Sequence, residues 1–273
     1  MDWQYLKVQL SKKIMPRRFY QFNPTKIPFV ARLAKKALMD GDDMLMMPRD
    51  KVIQVNKSLA APVEEFLPTE VIAHFVKKAS YICILDTCLC REALKCKHYP
   101  ISPGCIYMGE GARGLNPKEG RPATVDEALE HIHKSQELGL VSMVGRSKLD
   151  CVTHSIGPGN RLMAVCNCCP CCCIARGIPY MHPLLGEKFN IIPGLKIVVT
   201  DRCQGCGACA GKDLCIFQAF SFQGGLALID YSRCRGCGRC VSACPDNAIE
   251  VVIEDKNYIK NAIERLSRTV NVT

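Results

Sequence analysis

The first sixty residues contain no cysteine and no glutamate, and no part of the chain approaches eighteen consecutive apolar residues. A membrane-spanning helix needs about 20 such residues, so the sequence offers none. The opening twenty residues also lack an apolar run of seven and a small-residue cleavage site, which argues against a secretory leader. A P-loop, a nucleophile elbow and an HExxH pair are missing too, so no self-contained hydrolytic site is legible. No helix-turn-helix, RNP or zinc-finger pattern is present, and no nucleic-acid partner is expected. Low-complexity segments are absent and 48% of residues are hydrophobic, which excludes collagen-like and disordered classes. The expected setting is cytoplasmic, where thiols stay reduced.

Against these absences stand 20 cysteines in 273 residues. A chain of this length can bury a real core, so the cysteines are not staples for a tiny fold. In a reducing compartment, metal is the usual reason for holding so many thiols. Charge agrees. The formal net charge is +10, but an oxidised four-thiolate cubane carries about −2, so three or four would leave roughly +2 to +4. Much of the basicity is therefore counter-charge.

Three zones are expected. Residues 1–60 form a basic arm with twelve Lys/Arg against five Asp. Within it, Pro28–Met39 reads as a helix ended by Asp40-Gly41, with Phe29, Leu33, Ala34 and Ala37 on one face. Residues 61–192 read as a cysteine-rich α+β domain. Thr69 is expected to cap a helix over EVIAHFVKKA, and Thr124 and Glu127 form a capping box. YICIL, LVSMVG and RLMAVC read as strands. His131 and His133 lie two apart on one helix, do not share a face, and are expected at the surface. Residues 193–273 contain an internal repeat and a C-terminal helix.

The repeat carries the sharpest chemistry. Arg202-Cys203-x2-Cys206-x2-Cys209 recurs 31 residues later as Arg233-Cys234-x2-Cys237-x2-Cys240, followed by Cys244-Pro245. Each iron of a cubane needs one thiolate, and a tight glycine-containing loop lets three residues wrap three corners. Gly236 and Gly238 supply the torsional freedom. The first copy departs from the spacing, because Cys215 follows Cys209 after five residues instead of three. Over roughly 193–255 the sequence resembles the two-cluster bacterial-type ferredoxin domain. That resemblance implies a small βαββαβ-type fold with two 4Fe-4S clusters. By its cross-over rule, one cluster would take Cys203, Cys206, Cys209 and Cys244, and the other Cys234, Cys237, Cys240 and Cys215. A zinc ribbon fits less well, since zinc has no use for repeated triplets with a distant fourth ligand.

The middle zone holds Cys88, Cys90, Cys96 and Cys105 in one group and Cys166, Cys168, Cys169, Cys171, Cys172 and Cys173 in another. Adjacent residues of an extended chain point oppositely, so the six cannot all reach one cube, and some must face another cluster, form the wall or stay free. Ten cysteines suit one or two further clusters, for three or four in all, with zinc as the alternative occupant. Cys83 reads as core, and Cys151 is undecided. The pair of groups is similar to a cysteine-rich module of multi-cluster iron–sulfur proteins of anaerobes, over about 40–273, which implies redox activity and no definite reaction. Gly109-x-Gly111-x2-Gly114 matches a dinucleotide fingerprint, but Asn116-Pro117 follows where a helix would have to open. Arg91 and Arg113 can neutralise a cluster or sit at the surface.

The expected function is electron transfer, as a relay or subunit of an anaerobic oxidoreductase system. The expected partner is an acidic redox protein or larger complex docked on the basic arm, with peripheral membrane contact as a further option. A redox enzyme with an unusual centre at CNCCPCCC is the alternative, and an iron–sulfur assembly scaffold a weaker one.

Overall fold

Apolar residues alternate along short runs and recur at helical spacing between them, and the chain sorts into a mixed α+β architecture. The computed structural model describes residues 2–17, 22–50, 67–211 and 213–273. In chain order come α1 (Trp3–Ile14), α2 (Pro28–Leu38), β1 (Asp43–Met47), α3 (Thr69–Lys78), β2 (Ile82–Leu85), α4 (Leu89–Ala93) and β3 (Ile106–Met108). Then follow β4 (Gly120–Pro122), α5 (Val125–Glu137), β5 (Val141–Arg146), α6 (Lys148–His154), β6 (Met163–Cys168), α7 (Pro183–Gly186) and β7 (Phe189–Ile191). The last part holds β8 (Leu195–Val199), β9 (Phe220–Gln223), β10 (Leu226–Ile229), α8 (Arg239–Ala243), β11 (Ile249–Ile253) and α9 (Tyr258–Ser267).

One sheet runs β4-β2-β3-β6-β5-β1-β7, antiparallel except for the parallel β1–β7 pair. Successive side chains on a strand point to opposite faces, so each strand feeds two layers. Leu45 and Met47 of β1 join Met163 and Val165 of β6 against Val71 and Phe75 of α3 and Ile132 of α5. Met44, Met46 and Met143 face the other way, in company with Cys168. On that second side α1 lies across α4 and α6. Residues 43–47, within the segment expected as a basic arm, are thus an inner strand of the sheet. The arm's residues 18–21 and 51–60 lie outside the described residues.

Local expectations meet the structure with three adjustments. The capping box is complete, with Glu127 N–H donating to Thr124 Oγ1 at 3.2 Å and Thr124 N–H to Glu127 Oε2 at 2.8 Å. Thr69, however, is the first residue of α3 instead of its cap, because its hydroxyl donates to Asp50 Oδ2 at 2.6 Å. His131 is half-buried instead of exposed, with Nε2 2.9 Å from the Gly104 carbonyl. The third adjustment is to α2, which ends at Leu38, one residue before the expected limit, with Gly41 at φ +75° beyond it.

Past residue 193 the order is strand, single 3-10 turn (Ala208–Ala210), two strands, helix and strand. β8 pairs with β11 and β9 with β10, both antiparallel. This part shares its core with the large sheet. Ile197, Val251, Tyr258 and Leu266 belong to the same buried cluster as Phe75 and Leu45. Arg265 of α9 clamps Asp43 of β1 through two bonds of 2.6 and 2.9 Å. A bidentate, charge-assisted pair of this kind exceeds an ordinary surface ion pair. Arg265→Ala should lower unfolding stability by about 1–2 kcal/mol, read from the urea midpoint with unchanged metal content.

Candidate metal centres

The two triplet loops are built alike. Gly236 and Gly238 sit at φ +67° and +70°, and their counterparts Gly205 and Gly207 at +69° and +79°. Left-handed backbone at these positions turns the loop tightly enough for three thiols to converge. Cys203, Cys206 and Cys209 line one recess together with Cys244 of the second copy. Cys215 crosses in the other direction to join Cys234, Cys237 and Cys240. Cys234 is pushed up to about 11 by burial, then by the neighbouring Cys237 and Cys215 thiols. Burial also raises Cys240, with Cys237, Cys234 and Cys215 adding to it. The longer spacer before Cys215, of which Lys212 lies outside the described residues, does not keep it from this group. Beside the second loop, the Nε atoms of Arg235 and Arg239 are buried and find no acceptor among the described residues. Four converging thiols at each place suit a four-thiolate cubane anion, and at the second loop unspent cationic donors flank them.

The ten cysteines of the middle zone recombine. They do not divide by sequence into 88–105 and 166–173; they divide by facing direction into six and four. Cys166 and Cys168 alternate on β6 and so project to the second face of the sheet. There they meet Cys88 and Cys90 at the start of α4, Cys105 ahead of β3, and Cys173 beyond the turn, around a cavity of about 70 Å³ whose wall Cys169 also reaches. The six thiols hydrogen-bond in three pairs, with Cys173 Sγ 3.2 Å from Cys168 Sγ. Cys90, Cys166 and Cys173 are each raised, first by donating to Cys88, Cys105 and Cys168 respectively, and then by burial. Cys88 moves the other way, to about 6, because it accepts from Cys90 and lies beside the Arg91 guanidinium. Cys105, although it accepts from Cys166, is raised by burial and by the neighbouring Cys88 thiol.

The remaining four, Cys96, Cys169, Cys171 and Cys172, bring their sulfurs within 4.8 Å of one another. Cys96 lies 3.4 Å from Cys171, and Cys171 lies 3.6 Å from Cys169. Four thiolates on one tetrahedral ion with metal–sulfur bonds of about 2.3 Å stand roughly 3.8 Å apart. A cubane spreads its thiolates wider, since each has its own iron. This group therefore has the dimensions of a single-ion site. The Cys172 N–H donates to Cys169 Sγ at 3.2 Å, and backbone donors at His98 and Tyr99 reach Cys96.

Charge within the protein answers the thiols. Arg91, fully buried, donates to the carbonyls of Pro100 at 2.7 Å and Asn167 at 2.6 Å, and also to Pro103. It ties the loop before Cys105 to β6 while facing Cys88. Arg113 takes the surface role instead, paired with Glu110. On another wall of the six-thiol cavity stand Tyr107, Asp150 and His154, and His154 Nδ1 lies 2.7 Å from Glu119 Oε2. Burial raises Asp150. None of these three was singled out from sequence, where only their later proximity to cysteines 105 and 166 gives them meaning. Cys83 is core, with its thiol on the Arg121 carbonyl and raised to about 11 by burial. Cys151 packs against the same buried cluster as Ile156 and Cys105, around Leu162 and Ala164. Gly109–Gly114 forms a 3-10 turn and no nucleotide-binding helix.

The centres abut. Cys237 packs against the cluster that contains Cys168, Cys173, Ile216 and Phe217. Arg239, two residues on, donates to the Cys168 carbonyl. On the far side, Cys209 and Cys240 share one buried cluster with Cys203, Cys234 and Cys244 at its margin.

Two measurements test this partition. Cys96→Ser should remove about one metal ion per chain while leaving acid-labile sulfide unchanged. Arg91→Met strands three buried carbonyls and should cost more than about 3 kcal/mol, with loss of sulfide from the six-thiol site in whatever protein still folds.

Residues 227–250 match the family model of the 4Fe-4S binding domain. The match takes in Cys234, Cys237, Cys240 and Cys244 and stops short of the first copy. No curated protein and no solved structure matches the chain. Over residues 227–250 the chain is similar to a 4Fe-4S binding domain.

Proposed function

We propose that the chain is a multi-cluster iron–sulfur electron-transfer protein, a relay or subunit of an oxidoreductase system of anaerobic type. When bound, 4Fe-4S clusters supply one-electron storage at potentials set by thiolates, nearby donors and burial. In this reading Cys203, Cys206, Cys209 and Cys244 hold one cluster, and Cys215, Cys234, Cys237 and Cys240 hold a second. A third centre draws on Cys88, Cys90, Cys105, Cys166, Cys168 and Cys173, and a single ion sits among Cys96, Cys169, Cys171 and Cys172. The observation that carries the proposal is the adjacency of the thiol groups, with Cys209 and Cys240 in one buried cluster and Cys237 packed against the cluster that contains Cys168. The residues between them exclude water and, through Arg91, Arg235 and Arg239, lower the electrostatic cost of adding electrons.

A second reading rests on the six-thiol cavity itself. Six thiols exceed what one cubane needs, and Asp150, Tyr107 and His154 line the same space with groups able to hold a proton. That combination favours an enzyme that reduces a small molecule there.

Metal analysis with EPR under anaerobic conditions decides between these. The relay predicts about 12 iron atoms with one further tetrahedral ion, and only ordinary cubane signals after reduction. About eight iron with several zinc would remove the middle cluster. A reduced signal that shifts on adding a small ligand would favour the enzyme.

A further inference from the structure

Helix α1 buries one side and leaves an apolar stripe on the other. Val8 is buried against the body of the protein. Trp3, Leu6 and Leu10, on the opposite side by helical spacing, are 75%, 42% and 56% exposed. Helix α2 repeats the pattern, burying Ala31 while Phe29 and Leu33 stay 68% and 52% exposed, with Ile27 at its start. Between the two helices runs an apolar groove of about 290 Å³, to which α1 gives Ile14, the following turn Met15, and α2 Ala34 and Leu38. The charge that the two helices and the segment joining them carry has a single sign. Residues 3–39 hold nine Lys/Arg and no acid, and Lys13, Arg17, Lys26, Arg32 and Lys36 are all exposed.

We infer that α1 and α2 form an interfacial anchor that seats the protein on an anionic phospholipid bilayer. A helix lying in the membrane plane needs bulky apolar side chains to enter the acyl boundary and cations to meet the phosphates. Both helices supply the two together. Trp3, at the end of its stripe, belongs at headgroup depth. An acidic protein would answer the cations but leave Trp3, Leu10, Phe29 and Leu33 without a partner, whereas hydrocarbon accepts them without shape matching. No described helix is long and apolar enough to cross a membrane, so the attachment is to one leaflet. The seat turns the groove toward lipid. The groove shares Met15, Leu89, Leu149, Thr153 and Ile174 with the six-thiol cavity behind it.

The test uses the metal-loaded full chain with vesicles of phosphatidylcholine alone or mixed with phosphatidylglycerol. The protein should float with the mixed vesicles, bind pure phosphatidylcholine weakly, and release as salt screens the surface. Trp3 is the chain's single tryptophan, so its emission should shift to the blue on the mixed vesicles. Leu10→Ser/Phe29→Ser/Leu33→Ser should weaken vesicle binding by more than about tenfold with iron and sulfide unchanged. If that variant loses iron, the wild-type Trp3 shift alone decides. The proposal falls if neither vesicle binds at low salt or if the emission does not move. It falls equally if the triple variant keeps its iron and binds as the wild type does, which would mean charge alone is read, as by an acidic protein. A wild-type dimer that the same substitutions turn into a monomer would make the face a self-interface and overturn it too.

Discussion

Thiols that are buried and in contact cannot all be charged, and the architecture around them answers that constraint. In the six-thiol cavity Cys90, Cys166 and Cys173 donate to Cys88, Cys105 and Cys168, and donation and burial together raise them. Thiols gathered this closely call for positive charge nearby, and the fully buried Arg91 beside Cys88 supplies it. Burial of arginine is expensive unless its donors are used. Arg91 meets the requirement with main-chain carbonyls, which leaves its charge undiminished for the thiols. Because those carbonyls belong to the loop before Cys105 and to β6, the same residue that balances charge also fixes the positions of the ligands.

The C-terminal centres were legible because their logic is local. Triplets at two-residue spacing with glycines between them determine their own backbone, and the cross-over of Cys215 and Cys244 follows from the repeat. The middle zone was legible only in outline. Alternation required that neighbouring cysteines face different ways, and they do, but which distant cysteine waits on each side is a matter of sheet order. Cys96 meets Cys171 across 75 residues, and Cys105 reaches Cys166 because β3 and β6 are neighbours. No spacing within either group encodes that. His131 was misplaced for a related reason, since its partner Gly104 lies in a loop that only the folded sheet brings near.

The basic zone shows a different limit. Its charge was evident, yet charge alone suggested an arm apart from the body. Met44 to Met47 were the contrary signal, a run too apolar for a solvated segment, and they lie inside the sheet. The Trp3, Leu6 and Leu10 spacing was present as well, but a stripe does not announce whether it faces protein or solvent. Val8 on the opposite side of α1 settles it, because a helix so short has only one side to bury.

The wall between the six-thiol and four-thiol groups is thinner than any packing layer. Cys168 and Cys169 are consecutive, as are Cys172 and Cys173; Cys168 and Cys173 line the cavity, Cys172 belongs to the four-thiol group, and Cys169 belongs to that group while also reaching the cavity wall. Consecutive Cα atoms stand about 3.8 Å apart, so two peptide units span the whole partition. On the proposed assignment the two centres would mature cooperatively. Whichever centre fills first fixes the backbone between residues 168 and 173, and the second then assembles on a segment whose conformational entropy has already been lost. A half-loaded protein should be a minor species at every stage of metal delivery.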